Sequence, residues 1–218
     1  MSTERAILLV VHPRRPDAAG LAAEVVARLP ASGVRVSLDP LSADILDATT
    51  RSLVHPAQLP DPAAGCELVL VLGGDGTILR GAEWSRSAHV PLLGVNLGHV
   101  GFLAETEREH AHATIDRILD REYSITERMT LDVVAHVDGR EVARSFALNE
   151  ATVEKAARER MLELTVEIDG RPISTWGCDG VVMATPTGST AYAFSAGGPV
   201  IWPDVEAMLV VPISAHAL

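Results

Sequence analysis

Residues 67 to 77 read Glu67-Leu-Val-Leu-Val-Leu-Gly-Gly-Asp-Gly-Thr77, which is the clearest strand of the chain followed by a Gly-rich turn. An unbroken Leu/Val run of this length predicts a strand buried on both faces, as in parallel sheets. The three glycines permit backbone conformations and close approaches that a side chain would block. Residues 78 to 85 then have helical spacing. A strand, turn and helix of this kind is one unit of a parallel α/β fold.

The rest of the first half repeats the alternation. Residues 40 to 64, rich in Pro, Ala and Asp, are predicted to be a mobile connection with one weak helix. The other predicted elements are strands at 6–11, 34–38 and 91–95 and helices at 16–29 and around 107–121. We therefore expect a Rossmann-like parallel α/β domain over residues 1–122, binding nucleotide and carrying the Gly-rich loop.

The pattern changes at about residue 123. Asp138-Gly139 and Asp169-Gly170 each stand between two strand-like runs and are typical of tight hairpin turns. Residues 181 to 184 add another strand. We therefore expect residues 123–218 to form an antiparallel β-rich domain. Because the chain stops inside the apolar, strand-like segment 210–218, we further expect that this second domain is truncated.

Composition excludes several classes of protein. The 218 residues carry a formal net charge of −11, which argues against nucleic acid as the main partner. No run approaches the roughly 18 to 20 apolar residues of a membrane span, and the amino terminus lacks the pattern of a signal peptide. We expect a cytoplasmic protein with two buried thiols, Cys66 and Cys178. Any phosphate site must then depend on backbone amides, a few local arginines and a metal ion.

Asp75 is the residue that gives the Gly-rich turn a chemical meaning. A turn that only holds phosphate has no use for a carboxylate, because a carboxylate repels the anion. An enzyme that transfers phosphate to a hydroxyl can use one to orient the hydroxyl and accept its proton. The alternative is structural, with Asp75 capping the helix that follows.

Other segments concentrate polar groups beside strands, each with a structural alternative. Phe102, in a second Gly-rich segment, could stack on a base or belong to the core. Asn149 and Glu150 end a predicted strand and could bind a nucleoside, or lie in a solvated turn. Residues 185 to 199 are rich in Ser, Thr and Gly, and Ser189 or Thr190 could cap a short helix there. Asp179 could bind a ligand or form a turn.

Taken in order, these motifs resemble the NAD kinase family. The resemblance rests on Gly73-Gly-Asp-Gly-Thr77, Leu148-Asn-Glu150, Thr185-Pro-Thr-Gly-Ser-Thr-Ala-Tyr192 and Ser195-Ala-Gly-Gly-Pro199, with Asn96-Leu-Gly98 and Gly101-Phe-Leu103 in agreement. It implies phosphorylation of the 2′-hydroxyl of the adenosine ribose of NAD, giving NADP, with ATP or polyphosphate as donor and Mg²⁺ beside the donor. It also implies a homodimer or homotetramer, assembled through the β-domain.

The resemblance assigns a role to each matching residue. Asp75 would accept the proton of the hydroxyl. The donor phosphates would be held by Gly73, Gly74, Gly76 and Thr77, with Arg80 and Arg160 as further phosphate contacts. Gly76 would also adjoin the substrate. The dinucleotide would be bound by Phe102, Asn149, Glu150, Asp179, Thr190, Ala191, Tyr192 and Ser195. No protein side chain is assigned as a metal ligand.

Two departures from the family pattern affect these expectations. Family members often carry a basic residue shortly before the residue matching Asp179, where this chain has Gly177 and Cys178. They also continue beyond the segment matching residues 212–218. Two alternatives therefore remain beside an NAD kinase: a lipid kinase with a related Gly-rich loop, and a truncated, non-catalytic module that binds NAD or NADP.

Overall fold

The computed structural model describes residues 4–97, 103, 106–107, 110–157 and 161–217. The chain divides into two compact units, Met1–Ile125 and Thr126–Leu218. The elements of the first unit are β1 Arg5–Val11, α1 Pro16–Ala31, β2 Val34–Leu38, a 3-10 turn Pro40–Ile45, α2 Ala48–Arg51, β3 His55–Pro56, β4 Leu68–Gly73, α3 Asp75–Ala88, β5 Leu92–Asn96, β6 Thr106–Glu107 and α4 Ala111–Asp120.

The six strands of the first unit form one sheet in the order β3-β2-β1-β4-β5-β6. Every pair of neighbours is parallel. This confirms the predicted parallel α/β architecture. The order is that of the doubly wound dinucleotide-binding folds, in which the chain leaves the central strand first towards one edge and then towards the other.

The core explains why these residues form these elements. Along β1, alternate side chains enter two different clusters: Ile7, Leu9 and Val11 pack with α1 and α4, whereas Leu8 and Val10 pack with Ile78 of α3. Both faces of the strand are thus covered by helices. Helix α1 turns one face inward, with Leu21, Val25, Val26 and Leu29 all buried. Each such side chain contributes roughly 1.5–3 kcal/mol through its burial.

Two details of the first unit differ from the prediction. Helix α3 begins at Asp75 and not at residue 78, so Asp75, Gly76 and Thr77 form its first turn. The amides of Thr77 and Ile78 both donate to the carbonyl of Gly74, which starts the helix directly after β4. The segment 40–64 also contains a short edge strand, β3, which continues the parallel sheet beside β2.

The second unit consists of three antiparallel sheets. Its elements are β7 Leu131–Val137, β8 Arg140–Ala147, β9 Glu150–Glu154, β10 Leu162–Ile168, β11 Arg171–Cys178, β12 Gly180–Ala184, a 3-10 turn Thr187–Thr190, α5 Tyr192–Ser195, β13 Leu209–Ile213 and β14 His216–Ala217. The sheet orders are β10-β11-β14, β13-β12-β9 and β7-β8. Every described pairing in these sheets is antiparallel, as predicted.

Both hairpin turns form as the sequence indicates. Asp138 and Gly139 have φ angles of 51° and 74°, and Asp169 and Gly170 have φ angles of 52° and 72°. Two consecutive left-handed residues form the turn whose twist matches that of the flanking strands. The Asp-Gly pair supplies this conformation because glycine has no Cβ and aspartate tolerates the left-handed region. In the described part of the chain, no helix is long and apolar enough to cross a membrane.

Candidate functional site

A cavity lies at the switch point of the parallel sheet. The chain leaves β1 for β2 on one side, and β4 and β5 continue on the other, so the loops after β1 and β4 diverge. The cavity between them measures about 300 Å³. It is lined by His12, Pro13, Arg15, Gly74, Asp75, Gly76, Thr77 and Arg80. The predicted Gly-rich motif therefore meets a second loop, which the sequence analysis did not single out.

The glycines of the turn fall into two kinds. A Cβ on Gly73 would lie 2.5 Å from Oγ1 of Thr77, so Gly73 is required by packing at the end of β4. A Cβ on Gly74 or Gly76 would meet no atom within 4 Å. Packing within the described chain thus does not explain these two glycines. They leave open space at the start of a helix, where backbone amides and the helix dipole favour an anion.

Asp75 lies in the first turn of α3, on the lining of the cavity. The N-cap position belongs to Gly74, so the capping role considered for Asp75 is not the position it occupies. The backbone amide of Leu103 donates to Oδ1 of Asp75 at 3.4 Å. The carboxylate is thus held at the helix terminus beside the open space of Gly74 and Gly76, where it can orient a hydroxyl and accept its proton.

Three basic side chains line the same cavity: His12, Arg15 and Arg80. The family resemblance implied Arg80 as a phosphate contact, whereas His12 and Arg15 were missed. Arg15 donates to the carboxylate of Asp17 at 2.8 Å and to the carbonyl of Leu97. The hydrogen bond from Arg15 lowers the pKa of Asp17 below its usual range. The positions of His12 and Arg15 directly after β1 could have predicted them, because β1 neighbours β4 in a sheet of this kind.

Arg80 is anchored on one side and unsatisfied on the other. Its Nη2 donates to the carbonyl of Val11 at 2.8 Å and lies 3.1 Å from Oδ2 of Asp39. Its Nε is buried and meets no acceptor among the described residues. A buried donor without an acceptor is costly, and a ligand oxygen in the cavity would supply one.

The second unit holds a separate cluster of unsatisfied polar atoms. Within the described residues, three buried side-chain atoms there have no hydrogen-bond partner: Oδ1 of Asn149, Oε2 of Glu150 and Oγ1 of Thr187. Glu150 begins β9, so the prediction that Asn149 and Glu150 end a strand was wrong. Two carboxyl or amide oxygens and a hydroxyl suit a ligand with amino and hydroxyl groups, such as a nucleoside.

A close backbone approach builds this cluster. The amide of Thr185 donates to the carbonyl of Asn149 at 2.8 Å, and Oγ1 of Thr185 donates to the carbonyl of Leu148 at 2.6 Å. A Cβ on Gly188 would overlap the backbone of Asn149, so the two segments can pack this tightly only with glycine at position 188. The hydroxyl-rich segment 185–199 is therefore held against Asn149 and Glu150, so the two motifs can contribute to a single site within this unit.

Burial raises the pKa of the Glu150 carboxyl, and the hydrogen bond from the backbone amide of Tyr192 opposes this shift. Tyr192 opens helix α5, which also contains Ser195, and Ala191 is its N-cap residue. The predicted substrate-binding residues Ala191 and Tyr192 therefore adjoin Glu150 through this amide. Ser195 lies at the other end of the same short helix.

Neither Ser189 nor Thr190 caps a helix, contrary to the prediction. Oγ of Ser189 accepts from the amide of Ile201 at 3.0 Å and donates to its carbonyl at 3.2 Å, so this buried hydroxyl fixes a neighbouring loop. Oγ1 of Thr190 donates to the carbonyl of Thr187 at 3.4 Å, within the 3-10 turn. The cap positions belong to Pro186 and Ala191 instead.

Asp179 joins β11 to β12 and pairs with Lys155. The ammonium of Lys155 lowers the pKa of the Asp179 carboxyl, with smaller contributions from Ser214 and His216. Lys155 follows β9, and its amide also donates to the carbonyl of Asp179 at 3.0 Å. Lys155 thus places a cation beside Asp179, although the residues that directly precede Asp179, Gly177 and Cys178, are not basic. The predicted site residues Phe102 and Arg160 lie outside the described residues.

Comparison with known proteins gives matches along most of the chain. Residues 7–123 match the family described as the ATP-NAD kinase N-terminal domain, and residues 148–218 match the ATP-NAD kinase C-terminal domain. NAD kinase 2 of Streptomyces coelicolor is 53% identical over 221 residues, covering 98% of this chain and 71% of that protein. The NAD kinase of Thermobifida fusca is 54% identical over 226 residues, covering 100% of this chain and 69% of the relative.

Two solved structures resemble the chain. Yeast NADH kinase complexed with NADH is similar with a TM-score of 0.87 and 26% sequence identity, covering 100% of this chain and 68% of the yeast chain. An NAD kinase from Archaeoglobus fulgidus in complex with ATP has a TM-score of 0.68 and 26% identity, covering 97% of this chain and 72% of the archaeal one.

Proposed function

The chain belongs to the ATP-NAD kinase family, and from this premise we propose that Asp75 directs phosphoryl transfer from ATP to the 2′-hydroxyl of the adenosine ribose of NAD. The observation that carries the proposal is the cavity at the switch point. There the carboxylate of Asp75 lies beside two glycines that leave open space at a helix terminus and beside an arginine with an unsatisfied buried Nε.

The reaction is a direct displacement at the γ-phosphorus of the donor. The 2′-oxygen forms a bond to phosphorus, and the bond from phosphorus to the β,γ-bridging oxygen breaks, so that ADP leaves with the electron pair. Asp75 accepts the proton of the attacking hydroxyl. No covalent intermediate on the protein is required.

The donor phosphates are proposed to lie against the start of α3. The amides of Gly74 and Gly76 and the side chains of Thr77 and Arg80, all on the cavity lining, would hold them, while Gly73 shapes the turn through its packing on Thr77. His12 and Arg15 are further candidates because they line the same cavity. The archaeal relative was solved in complex with ATP, which supports ATP as the donor for this chain. Polyphosphate is a second candidate, since these contacts address phosphate groups and not a base.

A divalent cation such as Mg²⁺ would accompany the donor. Mg²⁺ in phosphotransferases is held largely by substrate phosphates together with one or two carboxylates. The described residues contain no group of three or more His, Cys, Asp or Glu side chains that could hold a metal by themselves. Asp75 is the carboxylate on the cavity lining, so it fits this mode of binding. When bound, the ion would neutralise charge that develops on the transferred phosphoryl group.

The polar cluster of the second unit is proposed to bind the dinucleotide. Asn149, Glu150 and Thr187 have buried atoms that need partners, which the amino and hydroxyl groups of adenosine would supply. Ala191, Tyr192, Ser195 and Thr190 would complete this surface, and Asp179 would accept from the nicotinamide amide. Phe102 and Arg160 keep the adenine and phosphate roles that the family resemblance gives them.

The test is NADP formation by the wild-type chain and by Asp75→Asn. We expect the substitution to lower kcat by about 10²–10⁴-fold, which is the usual contribution of a positioned base. NAD affinity, measured by calorimetry, should stay within about tenfold, because the carboxylate acts mainly in the chemical step. Near-normal turnover of Asp75→Asn would contradict the role of Asp75. A wild-type chain that binds NAD without forming NADP would instead favour the non-catalytic module.

A further inference from the structure

Asp39 is a fully buried carboxylate that the proposed reaction does not use. It directly follows β2, and its backbone amide donates to the carbonyl of Leu9 on β1 at 2.9 Å. It therefore lies at the carboxyl end of the sheet, the end where the loops after β1 and β4 form the cavity. It is absent from the cavity lining, so it cannot itself contact a donor there.

The contacts of Asp39 lead to Arg80. Its Oδ2 lies 3.1 Å from Nη2 of Arg80 and accepts from Oγ of Ser42 at 2.9 Å. Its Oδ1 accepts from Nε1 of Trp84 at 3.2 Å. Arg80 and Trp84 both belong to α3, the helix that carries Asp75. The carboxylate thus joins the end of β2 to one face of the helix that forms the proposed donor site.

The same contacts determine where the guanidinium points. Nη2 of Arg80 also donates to the carbonyl of Val11 at 2.8 Å and to Oγ of Ser42 at 3.3 Å, so this nitrogen is used entirely within the protein. A guanidinium is planar and rigid, so fixing one nitrogen with three partners fixes the directions of the remaining donors. Nε is the donor that stays buried without an acceptor in the described chain.

A buried ion pair is weak support for stability, because removing two charges from water offsets most of their attraction. An apolar pair of similar volume would serve the core at least as well. The ion pair between Asp39 and Arg80 is explained if the cavity needs a guanidinium in one fixed orientation. We propose that Asp39 is a positioning residue for phosphoryl transfer: it holds Arg80 at the cavity wall so that the guanidinium can bind the donor phosphates. The proposal rests on the donor role of Arg80 given above.

The test is Asp39→Asn, which keeps the shape of the side chain and removes its charge. The KM for ATP is expected to rise about tenfold, as one charge-assisted contact to the donor loosens, while kcat and the KM for NAD stay within about twofold. Asp44→Asn is the matched control, because Asp44 is an exposed aspartate in the 3-10 turn that follows Asp39 and pairs with Arg51 at 3.7 Å. It should change none of these constants.

A double variant separates positioning from stability. Arg80→Gln should raise the KM for ATP at least as much as Asp39→Asn, and the double variant should be no worse than Arg80→Gln alone, because Asp39 acts through Arg80. Additive effects, or equal losses in kcat and in both KM values together with a lower unfolding midpoint, would show a merely structural role and overturn the proposal.

Two further outcomes keep the proposals apart. If Arg80→Gln leaves the KM for ATP unchanged, the donor role of Arg80 fails and the role of Asp39 fails with it. If Arg80→Gln raises this KM and Asp39→Asn does not, only the positioning role is wrong. Should Asp39→Asn fail to fold, Ser42→Ala decides, because it removes the hydroxyl that bonds to both Asp39 and Arg80. A rise of about threefold in the KM for ATP alone supports the proposal, and no rise overturns it.

Discussion

Glu150 shows at the scale of one residue how a proposed binding site can lower the stability of the unliganded protein. Its carboxyl is half-buried, one oxygen has no partner in the described chain, and burial raises its pKa. A group whose pKa is raised by folding contributes its stability below the unfolded pKa, and that contribution is lost as the pH rises through the folded pKa. At neutral pH the unliganded protein therefore carries the desolvation cost of this carboxylate.

Glu150→Gln is accordingly expected to stabilise the unliganded chain at neutral pH, by about 1 kcal/mol or less, because an amide is less costly to bury than a carboxylate. The gain should shrink as the pH falls below the ordinary glutamate pKa of about 4.3, because the wild-type carboxyl then becomes protonated in both states. Urea unfolding across this range measures it. NAD binding should weaken in the same variant.

Glu167→Gln, on the exposed side of β10, is the control for this prediction and should show no such pH-dependent gain. If Glu150→Gln were less stable than wild type at neutral pH, the carboxylate would be satisfied in the unliganded protein and the proposed ligand role would lose its support.

Single residues also mark the limit of what the sequence predicted. Asp75 stood out because a carboxylate among glycines is chemically unusual. Asp39 and Lys155 did not, because an isolated Asp before a proline and a Lys after a strand are ordinary in loops. Their importance depends on partners far along the chain, Arg80 and Asp179, that only the folded structure brings within reach.

At the scale of one element, two glycines in the turn between β4 and α3 are expected to have different roles, one in packing and the other in binding. Gly73→Ala places a Cβ 2.5 Å from Oγ1 of Thr77 and should destabilise the first unit by roughly 1–3 kcal/mol, as overpacking does. Gly74→Ala meets no atom and has φ −99° and ψ −173°, which alanine adopts readily. It should leave stability unchanged or slightly higher, by about 0.4–1 kcal/mol. Its methyl group would nevertheless occupy the proposed phosphate cradle.

Thermal unfolding and the KM for ATP, measured on both variants, check this prediction. We expect Gly74→Ala to raise the KM for ATP about tenfold, since a displaced phosphate loses about one charged hydrogen bond, with no loss of stability. A normal KM in Gly74→Ala would show that the open space at this turn does not hold the donor.

The differences between prediction and structure are also explained by individual elements. The long strands and the Asp-Gly hairpins were predictable, because their signals are local: an apolar run, or two residues suited to left-handed backbone. The start of α3 was placed three residues late, because the first turn of the helix contains Gly76 and glycine is a poor helix former. The packing of Gly73 on Thr77 was also not visible in the sequence. Strand β3 was missed because two residues carry no periodicity and pair only when β2 is beside them.

At the scale of the whole molecule, the two units differ in how much apolar surface they leave exposed. Of the sixteen large apolar side chains exposed in the described residues, twelve belong to the second unit. Its cluster of buried apolar residues comprises only Val182, Ala184, Ala193 and Val211, whereas the first unit has two large clusters. Exposed apolar side chains are candidates for contacts with another subunit, and most of them belong to the second unit.

We therefore expect the protein to form a homodimer or homotetramer through its second unit. Light scattering after size exclusion should give at least twice the mass of one chain at micromolar concentration. Trp202 is the test residue, because it is 80% exposed and aromatic side chains are enriched at interfaces. Trp202→Ser should weaken association, with the apparent mass falling towards that of a single chain on dilution.

Leu41→Ser is the matched control, since Leu41 is 64% exposed but belongs to the first unit. It removes a similar apolar group and should leave the mass unchanged. Equal loss of association in both variants would place the contact outside the second unit. A wild-type chain that stays monomeric at every concentration tested would contradict the prediction.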